Sequence, residues 1–118
     1  MSDVVVTVPK SFGWTRWLEE GDLPGEPWSG LESYFHLGGY PPRDLEVGDR
    51  VYVVFNGKLR GYAPLNRIIH IGPRRYALAR RGGAVATTIS EEIKGFRGFR
   101  YRWWDYDLER LFPNWRLP

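Results

Sequence analysis

The dipeptide Asn56-Gly57 constrains the fold of this chain more than any other feature. It lies between two runs that are rich in Val, Leu and aromatic residues, at positions 50–55 and 58–65. Asn and Gly both tolerate the positive φ angles of a type I′ turn, whose twist matches that of two paired strands. The sequence therefore predicts that residues 51–55 and 59–65 are antiparallel neighbours in a β-hairpin.

Further short strands, rich in β-branched and aromatic residues, are predicted on both sides of this hairpin. They cover residues 3–9, 67–71, 76–80, 84–89 and 96–104. Short strands at regular spacing favour a barrel or a closed sheet.

Two short helices are predicted before the hairpin. The first covers residues 12–20, where Ser11 can act as the N-cap and apolar side chains recur at helical spacing. The second covers residues 29–36, where Ser29 and Glu32 have the spacing of a capping box. The expected fold class is therefore α+β: a small mixed or antiparallel β-barrel with two short helices before the central hairpin, formed by one domain over residues 1–118.

The region of the hairpin resembles the central core of PUA-like domains. The resemblance rests on Val47-Gly48-Asp49, the apolar strand at 51–55, Gly57, and a return strand that contains Gly61. The ASCH and EVE branches of that superfamily share such a core, with helical elements before it and basic strands after it. The resemblance implies a β-barrel that binds RNA or a modified base. The Lys- and Glu-containing run of hydrolytic ASCH domains has no counterpart in residues 11–42.

Several classes of site are excluded by composition. Cysteine is absent and the chain has two histidines, His36 and His70, so we expect no metal and no cofactor. No Gly-rich phosphate loop and no serine nucleophile elbow occurs. We expect neither a secretory signal nor a membrane span, since the apolar runs are much shorter than about 20 residues. These features favour a cytoplasmic protein that binds rather than catalyses.

Charge is divided unevenly along the chain. Residues 1–57 contain 4 basic and 9 acidic residues, whereas residues 58–118 contain 13 basic and 5 acidic residues. Most of the basic residues are arginines, which pair with phosphate and stack on rings. A genome that favours arginine would produce the same bias. The predicted nucleic-acid-binding residues are Arg60, Arg74, Arg75, Arg80, Arg81, Arg100 and Arg102.

Aromatic residues and arginines alternate in residues 99–104. A core face backed by a solvated face explains this alternation, and so does a face on which bases stack and arginines pair with phosphates. A second group of rings, in the predicted helical region, would line a pocket if the helices close over the mouth of the barrel. The predicted ligand-binding rings from the two groups are Trp14, Trp17, Tyr34, Trp103 and Trp104.

Three functions remain open on the sequence alone. The first is a module that binds RNA or a nucleotide-like ligand through a basic face and an aromatic pocket. The second is a small ASCH-like hydrolase of nucleosides or RNA, for which Lys10 with Asp105 or Glu32 is the candidate pair. The third is an accessory domain whose aromatic surface contacts a partner protein.

Overall fold

The computed structural model describes residues 2–11, 14 and 32–112. These residues form a mostly β structure, built on a curled, half-barrel sheet. The strands run in the order β2-β5-β4-β3-β1-β7, and β6 pairs with both β4 and β8. Their bounds are β1 Val4–Thr7, β2 Ser33–Leu37, β3 Arg50–Phe55, β4 Lys58–Gly72, β5 Arg75–Arg80, β6 Val85–Thr88, β7 Phe99–Tyr101 and β8 Arg110–Leu111, with a 3-10 turn at Tyr106–Leu108. The β-rich, barrel-like character expected from the sequence is thereby confirmed.

The central hairpin forms as the sequence predicts. β3 and β4 pair in antiparallel orientation. The turn residues Asn56 and Gly57 have φ angles of 52° and 79°, as a type I′ turn requires.

A β-bulge interrupts this hairpin. Val53 pairs with Gly61 and the next residue, Val54, pairs with Leu59, so Arg60 is the extra residue of β4. A bulge bends its strand and changes the direction of the local side chains. Leu59, Arg60 and Gly61 are all buried, which breaks the alternation that the sequence predicts for this strand.

β1 separates two hydrophobic cores. It lies between β3, to which it is parallel, and β7, to which it is antiparallel. Val4 and Val6 belong to a first core cluster with Trp14, whereas Val5 belongs to a second cluster with Trp104. Because alternate side chains of a strand point to opposite faces, both faces of β1 are buried, and this explains its run of valines.

The helix predicted at residues 29–36 is wrong in the part that the structure describes. Residues 33–37 form β2, which pairs with β5. Leu37 is buried and Phe35 packs against the first core cluster, whereas Tyr34 and His36 are exposed. This period of two suits a strand, and pairing with β5 outweighs the local capping signal.

Other element boundaries also differ from expectation. The helix predicted at 12–20 lies outside the described residues except for Trp14, which is helical. β4 is one long strand, because its second half continues past a register shift at Leu65 and Arg67 to pair with β5. The strand predicted at 96–104 is confined to β7, which follows Gly98 in a left-handed conformation with a φ of 71°.

A hydrogen-bonded network joins the C-terminal segment to the sheet. The carboxylate of Glu109 accepts hydrogen bonds from the Tyr52 hydroxyl at 2.5 Å and from the Trp104 indole at 2.9 Å, and it pairs with the Arg50 guanidinium at 3.2 Å. The same guanidinium lies 4.2 Å from the ring centre of Tyr62. Burial and the hydrogen bond to Glu109 together raise the pKa of Tyr52 well above its ordinary value.

We expect this raised pKa to make the protein less stable at alkaline pH. An unfolded tyrosine has a pKa of about 10, so the stabilisation is complete below about pH 10 and is lost as the pH rises above it. Chemical denaturation between about pH 8 and pH 11 should show a smaller alkaline loss of stability for Tyr52→Phe than for the wild type. Equal alkaline losses in the two proteins would contradict this assignment.

Candidate functional site

Arg60 and Arg80 are buried, with 4% and 3% of their surfaces exposed, and they do not contribute to a basic face. The Arg60 guanidinium lies 5.3 Å from the ring centre of Trp14 and 5.0 Å from that of Phe112, and Nε donates to the carbonyl of Phe55 at 3.2 Å. Burial lowers the pKa of Arg60. The bulge explains why a side chain predicted to face solvent is found in the core.

The other arginines of the prediction differ in their availability. Arg102 is engaged within the protein, since Nε pairs with Asp3 at 3.3 Å and the guanidinium lies 4.1 Å from the ring centre of Tyr106. Arg100 is exposed and covers the ring of Phe96 at 4.6 Å. The remaining three predicted residues are exposed, namely Arg74, Arg75 and Arg81.

The predicted ligand rings do not meet in one pocket within the described part of the chain. Trp14 and Trp104 are buried in the two clusters on opposite faces of β1. Trp14 stacks on Phe55 with the ring centres 5.3 Å apart. Trp17 lies outside the described residues. Trp14 and Trp104 therefore belong to two different cores.

The two other predicted rings are exposed and bonded to carboxylates. Trp103 is 42% exposed and its indole donates to Glu91 at 3.1 Å. Tyr34 is also exposed, and its hydroxyl donates to Glu32 at 3.0 Å. Neither ring is among the residues that line the cavities described next.

A cavity of about 610 Å³ is lined by residues of both β2 and β7, the end strands of the sheet order. We call it the strand-edge cavity. Phe35 and Phe99 pack against the first core cluster and Phe96 against the second, so these rings of its lining are held in place. The lining residues are Thr7, Pro9, Phe35, His36, Leu37, Gly38, Gly39, Tyr40, Phe96, Arg97, Gly98 and Phe99.

A second cavity of about 440 Å³ adjoins the first, next to the turn between β3 and β4. We call it the turn cavity. Both volumes fall within the roughly 300–1,000 Å³ of small-molecule sites. Its lining residues are Thr7, Val8, Pro9, Lys10, Val54, Asn56, Gly57, Gly95, Phe96 and Arg97.

Four residues line both cavities and form what we call the shared wall: Thr7, Pro9, Phe96 and Arg97. The backbone N–H of Phe96 donates to Thr7 Oγ1 at 3.3 Å. A Cβ added at Gly95 would lie 3.2 Å from Thr7 Cγ2, so the loop packs closely on the end of β1. The shared wall is therefore fixed to the sheet by packing and by a hydrogen bond.

The shared wall is positively charged. Lys10 and Arg97 are exposed and form no hydrogen bond or ion pair with the described part of the chain. The guanidinium of Arg100 lies 4.6 Å from the ring centre of Phe96, which is also part of the shared wall. None of the described residues that line either cavity is Asp or Glu. An anionic group at this wall would meet Arg97, which forms no ion pair with a described carboxylate, and Lys10 adds a second such cation in the lining of the turn cavity.

Exposed rings continue from the strand-edge cavity toward the turn between β4 and β5. Tyr40 lines the cavity, is 64% exposed, and has its ring centre 5.4 Å from that of Tyr76. Tyr76 in turn stacks on His70 at 4.6 Å, with the rings 11° from parallel. Arg74 lies in the turn before Tyr76, and Arg75 is the first residue of β5. This sequence of rings and cations suits the stacking of successive bases along a strand.

The carboxylate of one candidate hydrolase pair is already engaged. Glu32 accepts hydrogen bonds from Arg67 at 2.7 Å and from Asn66 at 2.6 Å. Chiefly through the bond from Arg67, the pKa of Glu32 is lowered to about 2, which makes it a weak general base.

Residues 2–11, 14 and 32–112 contain no group of three or more His, Asp or Glu side chains placed to hold a metal ion. No described helix has the length and apolarity to cross a membrane.

Comparison of the chain with protein-family models, with curated proteins and with solved structures finds no match in any of the three.

None of the residues that line the two cavities is among the ligand-binding rings or the nucleic-acid-binding arginines predicted from the sequence. The sequence assigns Asn56 to the hairpin turn, and it assigns Lys10 only to the candidate catalytic pair of a hydrolase. A local signal for the shared wall does exist: Gly95-Phe96-Arg97-Gly98 places one ring and one cation between two glycines. Such a segment is typical of an exposed loop rather than of the strand predicted there.

Proposed function

We propose that this chain is a PUA-like binding module for single-stranded RNA or a nucleotide-like ligand, and that the ligand occupies the two cavities. One observation carries the proposal. Rings anchored in the core line the cavities beside two exposed cations: Arg97 in the wall that both cavities share, and Lys10 in the lining of the turn cavity. Stacking on a ring contributes about 1–3 kcal/mol per base, and a guanidinium pairs well with phosphate.

The concave placement of the rings favours a single strand over a duplex. Phe35, Phe96 and Phe99 are part-buried and line cavities rather than a flat surface. A base can enter such a cavity only when it is not stacked within a helix, as in the loops and ends that RNA-binding domains recognise. The exposed ring of Tyr40 would then stack on a neighbouring base outside the cavity.

We expect a 12-nucleotide single-stranded RNA to bind at low salt and to be released by salt. If Lys10, Arg97 and Arg100 neutralise phosphates, the slope of log K against log salt should be about −2, or roughly 20-fold weaker binding at 200 mM than at 50 mM salt. Arg97→Ala should weaken binding several-fold and reduce the slope by about 0.7. Fluorescence anisotropy over a salt series measures both quantities.

Arg110→Ala is the matched control, because it removes the same charge from an exposed residue of β8 that lines neither cavity. It should change affinity much less than Arg97→Ala. Absence of RNA binding at 50 mM salt would refute RNA as the ligand, and absence of nucleotide binding as well would refute the proposed function. Equal effects of the two substitutions would show that only net charge matters and that the cavities are not the site.

A further inference from the structure

We infer that the site holds two consecutive nucleotides of one strand, with one base in each cavity and the phosphate that joins them at the shared wall. The base in the turn cavity carries an exocyclic amino group. This inference rests on the proposed function. A dinucleotide is then the smallest ligand that fills the site, and residues of the turn cavity recognise one of its two bases.

The two-base arrangement follows from how the cavities meet. They are adjoining cavities with largely different linings, and Phe96 and Arg97 are among the four residues that line both. The guanidinium of Arg100 covers Phe96 at 4.6 Å and adds a second cation beside the shared wall. Each cavity has a volume suited to a small-molecule group of its own. Two bases joined by a phosphodiester match two cavities joined by a cationic wall.

The charges next to the turn cavity determine which part of a nucleotide enters it. The Glu92 carboxylate lies beside Gly57, where an added Cβ would be 3.1 Å from Oε1. Gly57 lines the turn cavity, so a phosphate placed at that end would be repelled. The phosphate is favoured at Arg97 instead, which leaves the base to occupy the end near Gly57.

The polar groups at that end suit an amino-bearing base. Asn56 lines the turn cavity and forms no hydrogen bond with the described residues, so its amide can donate to and accept from a base edge. The Glu92 carboxylate can only accept hydrogen bonds. Carboxylates accept from the amino group of cytosine, and amide side chains form hydrogen bonds with adenine. Adenine and cytosine carry such amino groups, whereas uracil presents only carbonyl oxygens and a ring N–H on its pairing edge.

Calorimetric titration of the full chain with AMP, ApA and UpU tests both halves of this inference. We expect ApA to bind about tenfold more tightly than AMP, although AMP carries the greater negative charge, because only ApA fills both cavities. We also expect ApA to bind about tenfold more tightly than UpU. Equal or tighter binding of AMP, or equal binding of ApA and UpU, would overturn the inference.

Two substitutions at the turn cavity provide the second arm. Asn56→Gly removes the amide but keeps a residue that adopts the turn's positive φ, and Glu92→Gln removes the charge at nearly constant size. Each should reduce the preference for ApA over UpU to about twofold. If Glu92 acted only by repelling phosphate, Glu92→Gln would strengthen the binding of both dinucleotides equally, which would overturn its role in reading the base.

The proposed function and the two-base inference are contradicted by different results. If 12-nucleotide oligo(A) binds at low salt but ApA binds no more tightly than AMP, the two-base inference fails and the proposed function stands. If neither the oligomer nor the dinucleotides bind at low salt, the proposed function fails and the inference fails with it.

Discussion

We expect the substitution Gly61→Ala to lower the free energy of unfolding by about 3 kcal/mol or more. Gly61 is buried in β4, where it pairs with Val53 of β3 and with Ala86 of β6. An added Cβ would lie 2.3 Å from the backbone carbonyl oxygen of Val85, which is far inside van der Waals contact. A backbone oxygen in a paired strand cannot rotate away as a side chain can, so β6 would have to separate from β4.

Thermal denaturation should show a fall in Tm of roughly 10 °C or more for a domain of this size. Gly38→Ala is the matched control, because no atom lies within 4 Å of the added Cβ and the residue is not in the left-handed region. Its effect should stay within about 0.5 kcal/mol. If the two variants prove equally stable, β6 does not lie against Gly61 as described.

The central hairpin could be predicted from the sequence because its signal is local. Asn56 and Gly57 determine the turn by their own backbone preferences, and the flanking apolar runs need only pair with each other. The prediction of the second helix was wrong because the capping signal is local, whereas the conformation of residues 33–37 depends on pairing with a strand distant in the sequence. Residues 33–37 gain more from pairing with β5 and from burying Phe35 and Leu37 than a capping box supplies.

The basic residues were harder to predict because burial of an arginine depends on distant strands. β6 can approach β4 closely because Gly61 has no side chain, and Arg60 is the bulged residue directly before it. Gly61 and Pro64 are local signals of a bulge or a close approach, but they do not identify the approaching strand, since β6 begins only at Val85. An alternation rule applied to β4 therefore assigned the Arg60 side chain to solvent.

The candidate site could not be predicted for a similar reason. Its shared wall joins Thr7 to Phe96 across 89 residues of sequence, through a hydrogen bond and close packing. The sequence predicted a binding segment of rings beside arginines in the region that begins at Phe96. It placed that chemistry on the strand at 99–104, whereas the cavity-lining cation lies in the preceding loop, at Arg97.

The second large effect is expected for Glu109→Ala, which should lower the free energy of unfolding by about 3 kcal/mol. Removing the carboxylate leaves the Tyr52 hydroxyl and the Trp104 indole without this acceptor in a buried site, at about 1–2 kcal/mol for each donor. The ion pair with Arg50 adds less, because that side chain is 32% exposed and water screens its charge.

Glu91→Ala is the control for this substitution, since Glu91 also accepts from a tryptophan indole, that of Trp103, but at the exposed surface. Urea denaturation should find it within about 0.5 kcal/mol of the wild type. A double-mutant cycle of Glu109→Gln with Tyr52→Phe should give a coupling energy of about 1 kcal/mol, and strict additivity would contradict the network. Because Glu109, Tyr52 and Trp104 line neither cavity, folded Glu109→Ala protein should bind single-stranded RNA with unchanged affinity and salt slope.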